Sequence, residues 1–145
     1  LLARVEANGH KVWAKGPQGH GAISLLETTI GVRLPPSYRA FLATYGSMSI
    51  YDSLVSGIVD ENPLKDVGGS LYGDTRRFRE DWSLPEYLLV VQPDEDAPYC
   101  FDTRRPDRHG EFPVICFELH SRHETTSAAR FDEWMRIFFL HWADD

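Results

Sequence analysis

Long apolar runs, a cysteine framework and an excess of positive charge are all missing from this 145-residue chain. Nothing approaches the roughly 18 to 20 consecutive apolar residues of a membrane-spanning helix, so no segment is expected to cross a bilayer. No stretch reads as a basic-then-apolar leader, and with Leu1 where a starting Met would stand the chain is expected to be a trimmed form. Two cysteines, Cys100 and Cys116, are too few for a disulfide scaffold. Each sits in an apolar, strand-like run, which points to reduced, buried thiols in a cytoplasmic protein. The G-x-S-x-G elbow and the G-x-x-x-x-G-K-[ST] phosphate loop are both absent, which removes two common catalytic frameworks.

What is present is ordinary in amount and uneven in placement. Apolar residues make up 42% and charged residues 26%, values typical of a globular protein. The length fits one domain spanning 1–145, enough to bury roughly two thirds of the unfolded surface. Through Gly46 there are five Lys/Arg against two Asp/Glu; from Ser47 onward there are ten against twenty, and the net charge is −7. A segment this acidic repels nucleic-acid phosphates and favours a basic partner.

The clearest local signal is Ile23 to Gly46 (ISLLETTIGVRLPPSYRAFLATYG). Ile23, Leu26 and Ile30 fall on one face of a helix that Gly31 can end in the left-handed conformation. Pro35 and Pro36 stand where a second helix would begin, a position at which a missing N–H costs nothing. Tyr38, Phe41, Leu42 and Tyr45 then share a face, and Gly46 closes the helix. Both helices are too short to persist alone in water, so each needs a surface to cover.

Around this pair the chain reads as follows. Leu1 to Ala7 is a short leading helix with Leu1, Leu2 and Val5 apolar, stopped by Asn8-Gly9. Residues 10–22 are Gly-rich and read as a loop anchored by Trp13. Ser49 to Asp60 suggests two short strands around Asp52-Ser53, or one with a bulge; Asp60 to Gly69 is a loop, and Leu71 to Trp82 a helix. Tyr87 to Gln92 is a short apolar run expected as a central strand buried on both faces. Tyr99 to Asp102 and Phe112 to Glu118 are further strands, and His120 to Ser127 a polar connection. Thr126 or Ser127 is the expected cap of a last helix carrying Phe131, Trp134, Met135, Phe138 and Trp142 on one face. The sum is an α+β class: a mainly antiparallel sheet with helices packed on one side.

The order Ile23, Leu26-Glu27, Gly31, Leu34-Pro35, Tyr38, Phe41-Leu42, closed by Tyr45-Gly46, resembles the opening signature of the SMI1/KNR4 (SUKH) superfamily. Ser47-Met48 stand where that family usually continues with glycine. Tyr99 to Asp102, Phe112-Pro113-Val114 and Phe131-x-x-Trp134-Met135 parallel its later positions, so the likeness spans about residues 22–140. The resemblance implies a non-catalytic binding protein. Bacterial members are best known as immunity proteins that bind and block a cognate toxin, often a nuclease or another basic enzyme, in polymorphic toxin systems. Some eukaryotic relatives are scaffolds or regulatory adaptors without a toxin partner.

Candidate chemistry is sparse. His120-Ser121-Arg122-His123-Glu124 matches neither H-E-x-x-H nor H-x-x-E-H and lies before the last helix, so no metal site is expected there. Cys100 and Cys116 lack an evident base, Arg76-Arg77-Phe78-Arg79 is followed at once by Glu80-Asp81, and Asp94-Glu95-Asp96 lacks the spacing of a calcium loop. No catalytic residue, cofactor, metal, nucleic acid or membrane is therefore expected. The expected partner is a basic toxin, met by the loops carrying Asp60, Glu61 and Asp94-Glu95-Asp96, with Tyr72 or Tyr51 as an aromatic contact.

Overall fold

The structure, a computed structural model, describes residues 2–143 and the side chains of residues 3–140. Leu1 and the side chains of Leu2 and Trp142 lie outside the described residues. The leading helix α1 runs Leu2–Ala7 and buries Val5.

The helical pair forms as its punctuation requires. Helix α2 (His20–Ile30) ends at Gly31, whose φ of 72° is the left-handed conformation and whose N–H donates to the Glu27 carbonyl. The Glu27 carboxylate turns forward to accept the Leu34 N–H at 2.7 Å, which ties the α2 end to the proline joint. Helix α3 (Pro36–Tyr45) receives no side-chain cap from Pro35. Glu111 supplies one from far along the chain. Its buried carboxylate accepts the Ser37 N–H at 2.9 Å and the Ser37 hydroxyl at 2.6 Å, placing a negative charge at the positive end of the helix dipole. Gly46 then ends α3 without a second glycine after it.

Seven strands form two antiparallel sheets. Strands β1 (Val12–Ala14), β2 (Met48–Ile50) and β3 (Ser53–Val55) lie in that order, with Trp13, Ser49 and Leu54 in register across one face. Strands β4 (Leu88–Gln92), β5 (Tyr99–Asp102), β6 (Val114–Phe117) and β7 (Glu124–Ala128) form the second sheet in sequence order. The Ser56 N–H donates to the Val91 carbonyl at 2.7 Å and links the chain beyond β3 to β4. Helix α4 (Leu71–Trp82) follows β3, and α5 (Phe131–Ala143) closes the described chain.

Alternation along the strands sorts the second sheet into two cores. Leu89, Val91, Phe101 and Val114 meet Leu26 of α2, Tyr38, Phe41 and Leu42 of α3, and Phe131 and Trp134 of α5. Rings crowd there: Tyr38 lies edge-on to Phe101 and Phe131 at 5.0 and 4.9 Å between centroids. The other face carries Leu88, Val90, Cys100, Ile115 and Phe117 against Phe78 of α4. The α+β class holds, but helices do not all pack on one side. Helix α4 covers the opposite face with a smaller core.

Four further expectations are corrected. Residues 12–14, read as part of a loop, form β1, because pairing with β2 supplies the backbone partners that a three-residue strand cannot provide locally. Residues 124–128, read within a polar connection, form β7, whose β-favouring Thr125 and Thr126 pair with Cys116 and Ile115. Thr126 and Ser127 are thus strand residues and do not cap α5. Strand β4 stands at the end of its sheet rather than in the centre. It is buried on both faces because α4 lies against it, and the Thr75 hydroxyl accepts the Val90 N–H at 2.9 Å.

One buried polar chain joins these parts. The Tyr38 hydroxyl donates to the Ser56 carbonyl at 2.6 Å, and the Ser56 hydroxyl donates to Asp74 Oδ2 at 2.5 Å. The same oxygen accepts the Gly69 N–H at 3.0 Å, while Arg77 donates to Oδ1 at 2.7 Å. Burial, reinforced by the Asp74 charge, pushes the Tyr38 hydroxyl well above its ordinary pKa and keeps it a neutral donor. Beside this chain, a Cβ on Gly57 would lie 1.8 Å from the Gly46 carbonyl oxygen, so only glycine permits that crossing.

A second buried carboxylate, Asp102, accepts two bonds from the Arg104 guanidinium at 3.0 Å each, and that guanidinium lies 3.7 Å over the Tyr87 ring. Burial alone raises the Asp102 pKa, but the Arg104 bonds and the Arg104 and Arg105 charges outweigh it and hold the carboxyl below its ordinary value.

Two measurements check these networks. Asp74→Ala leaves the buried Ser56 hydroxyl and Gly69 N–H without an acceptor and should cost about 3 kcal/mol, lowering Tm by roughly 6–12 °C in calorimetry. Because the Asp102 pKa is depressed, its ionised form contributes stability above the unfolded carboxyl value near about 4, and that contribution is lost as pH falls through the folded value. Denaturation series at pH 5 and pH 2 should therefore show a smaller acid loss in Asp102→Asn than in the native chain.

Candidate functional site

Helix α4 is capped by Ser70, whose hydroxyl accepts the Gly73 N–H at 3.1 Å. Its helical period puts Arg77, Phe78, Asp81 and Trp82 along one side. The far end is held from outside. Arg122 donates to the carbonyls of Trp82 and Ser83 at 2.7 and 2.8 Å, meeting the C-terminal carbonyls that lack helical partners. His120, on the same loop, lies edge-on to the Trp82 indole at 5.3 Å between centroids.

The turn between β4 and β5 faces this helix. Asp94 builds the turn: its Oδ1 accepts the N–H groups of Asp96 and Ala97, both at 3.0 Å. The Asp96 carbonyl accepts the Leu119 N–H at 3.0 Å and fastens the turn to the His120 loop. Between helix and turn lies a cleft of about 520 Å³, bordered by Phe78, Asp81, Trp82, Glu95, Asp96 and His120, together with Leu54 and Pro93.

Its electrostatics are one-sided. Arg77 borders the cleft, but buried Asp74 already pairs it. Asp81, Glu95 and Asp96 join no ion pair among the described residues, so three carboxylates remain uncompensated around an indole that is 38% exposed. Leu54 also borders a smaller recess of about 160 Å³ with Met48 and Val59, at whose rim Trp13 is 58% exposed. Lys11 sits 4.0 Å over the Trp13 ring. Leu54 therefore borders both recesses, with Trp13 on one and Trp82 on the other.

The residues expected to meet a partner do not gather in one place. Glu95 and Asp96 reach the acidic cleft, whereas Asp94 is occupied in shaping the turn. Asp60 is exposed in a left-handed turn with Glu61 and is paired with Lys65, whose hydrogen bond and charge hold its carboxyl below the ordinary value. Tyr72 is half-buried on another side of α4, beside Ile30, Arg76 and Glu86. Tyr51 is 60% exposed at the β2–β3 turn, its hydroxyl near His10 Nδ1 at 3.3 Å. Asp81, Trp82 and His120 were not anticipated as site residues. The sequence held a signal for the first two, an acid and an aromatic together at a helix end; His120 joins them only through the folded loop.

Of the groups considered for catalysis, His120 alone of its segment borders the cleft. Glu124 of the His120–Glu124 segment accepts the Tyr87 hydroxyl at 2.6 Å and an Arg104 bond at 3.2 Å. Among the described residues no three His, Cys, Asp or Glu side chains converge as metal ligands, and no helix is long and apolar enough to cross a membrane. The cysteines are free and lie on opposite faces of the sheet; Cys100 is buried, but Cys116 is only half-buried, against expectation. Burial pushes both thiols above the ordinary value, the opposite of an activated nucleophile.

The family model described as SMI1-KNR4 cell-wall, SUKH_5, matches residues 2–140. The chain belongs to the SMI1/KNR4 (SUKH) family. That membership agrees with the helix pair, the two antiparallel sheets and the closing helix. In this SUKH domain the signature residues Leu34, Tyr38, Phe41 and Leu42 are all buried, so they build the core and leave recognition to the surface.

The burial difference makes the thiols separable. A disulfide-exchange reagent should modify Cys116 first, with Cys100 reacting at least tenfold more slowly until denaturant is added; equal native rates would contradict the assigned burial.

Proposed function

We propose that this SUKH domain is a cytoplasmic immunity protein that binds a basic toxin enzyme and neutralises it by covering its active site. The observation that carries this reading is the cleft between α4 and the β4–β5 turn, where Asp81, Glu95 and Asp96 stand uncompensated beside exposed Trp82. Uncompensated acid at a rim speeds encounter with a basic surface, and a partly exposed indole is the kind of anchor that carries binding energy in an interface. The adjoining recess, bordered by Leu54 and Trp13, would extend the contact beyond one cleft. Family membership supports a binding role, and immunity to toxins is a common form of it. A second reading, an adaptor without a toxin, is favoured by the cell-wall description attached to the matched family.

Co-expression with the open reading frame next to this gene separates the two. Immunity predicts that the neighbour alone arrests growth, that co-expression restores it, and that the pair co-purifies; a harmless neighbour favours the adaptor. Within a complex, Glu95→Lys with Asp96→Lys, leaving Asp94 to hold the turn, should lower the association rate about tenfold at low salt, with the difference shrinking as salt is raised. An unchanged rate at low salt removes this cleft from the interface.

A further inference from the structure

A second cleft has the opposite charge. It lies between the joint that precedes α3 and the β5–β6 loop, has a volume of about 560 Å³, and shares no bordering residue with the acidic cleft. Arg33, Arg39 and His109 border it, no carboxylate does, and Pro36, Pro106 and Phe112 provide apolar walls.

In a chain of net charge −7, two arginines without a carboxylate partner are unexpected. Neither Arg33 nor Arg39 joins an ion pair among the described residues. The neighbouring acids are engaged elsewhere. Glu27 accepts the Leu34 N–H, Glu111 caps Ser37, and Asp107 Oδ1 accepts the N–H groups of His109 and Glu111. Asp102 is held by Arg104 and Arg105. Independently of this charge count, Arg39 Nε is shut away from solvent and has no hydrogen-bond partner among the described residues. The rest of the Arg39 guanidinium forms no hydrogen bond or ion pair among the described residues either, which leaves its more accessible N–H groups for an acceptor in the cleft that Arg39 borders.

We propose that this cleft binds a small oxyanion carried on a planar or apolar body, a phosphate monoester or a carboxylate. Guanidinium groups present forked donors that match the oxygens of either anion, and their bonds to it would be charge-assisted. The Pro36, Pro106 and Phe112 walls take the apolar body, and the volume lies in the range of small-molecule sites. The site is independent of toxin binding and can be tested on the purified chain alone.

The test is a titration in phosphate-free, low-salt buffer with phenyl phosphate, benzoate, inorganic phosphate and neutral benzyl alcohol. Binding is read from the Arg Nε–H and His109 resonances and from calorimetry. Saturable binding of phenyl phosphate or benzoate, at least tenfold tighter than benzyl alcohol and than inorganic phosphate, is expected. The tighter of the two aromatic anions identifies the anion. Arg33→Gln with Arg39→Gln should weaken that binding at least tenfold. Because Arg39 is partly buried, Arg33→Gln alone and Arg39→Lys serve as variants that keep the fold, each expected to lose at least threefold. No saturable binding by either aromatic anion, equal binding of benzyl alcohol, or folded variants that bind like the native chain would overturn the assignment.

Discussion

The buried Asp74 carboxylate is the contact on which the arrangement of this domain turns. It receives the Ser56 hydroxyl from the chain beyond β3, the Gly69 N–H from the loop before α4, and Arg77 from α4 itself. Ser56 in turn accepts the Tyr38 hydroxyl through its carbonyl and donates its N–H to Val91. Helix α3, the two sheets and α4 are thus joined at one dehydrated spot, where an unpaired polar group would cost far more than at the surface. The consequence reaches the surface. By fixing α4 against β4, this chain places one wall of the acidic cleft, and by pairing Arg77 it leaves the cleft's carboxylates without a neutralising partner.

Charge is distributed in space differently from its distribution along the chain. The acidic portion after Ser47 suggests a uniformly negative surface, yet Asp74, Asp102 and Glu111 are buried and serve as internal acceptors for arginines, hydroxyls and backbone. What reaches the surface unpaired is a smaller set, of which Asp81, Glu95 and Asp96 share one cleft while others, such as Asp52, Glu61 and Glu133, lie apart from it. The arginines of the first helical pair have no such acids beside them, so a basic cleft at Arg33 and Arg39 persists in an acidic protein. Net charge alone conveys neither feature, because each depends on which carboxylates folding takes out of water.

Much of the fold was legible because its signals are local. Helices α2 and α3 were announced by apolar spacing, by Pro35-Pro36 and by Gly31 and Gly46; α4 came from its spacing, and β4 to β6 from apolar runs with turn residues between them. Strands β1 and β7 were not. Val12–Ala14 is too short to show a period, and Glu124–Ala128 is polar, so both exist through hydrogen bonds that distant strands offer. The site was legible in part: the acidic turn at 94–96 stood out, but Asp94 turned out to be structural, Asp60 is neutralised by Lys65, and Tyr72 lies on another side of α4.

By itself, then, the sequence determined the class of the fold, the helical pair and the family, because periodicity, prolines and glycines act over a few residues. Only the tertiary structure decided which face α4 covers, that Glu111 caps a helix 74 residues earlier, and which charges remain uncompensated. Those outcomes rest on burial and on contacts between residues far apart in the chain. A carboxylate's role is set by what surrounds it after folding, and no local pattern encodes those surroundings.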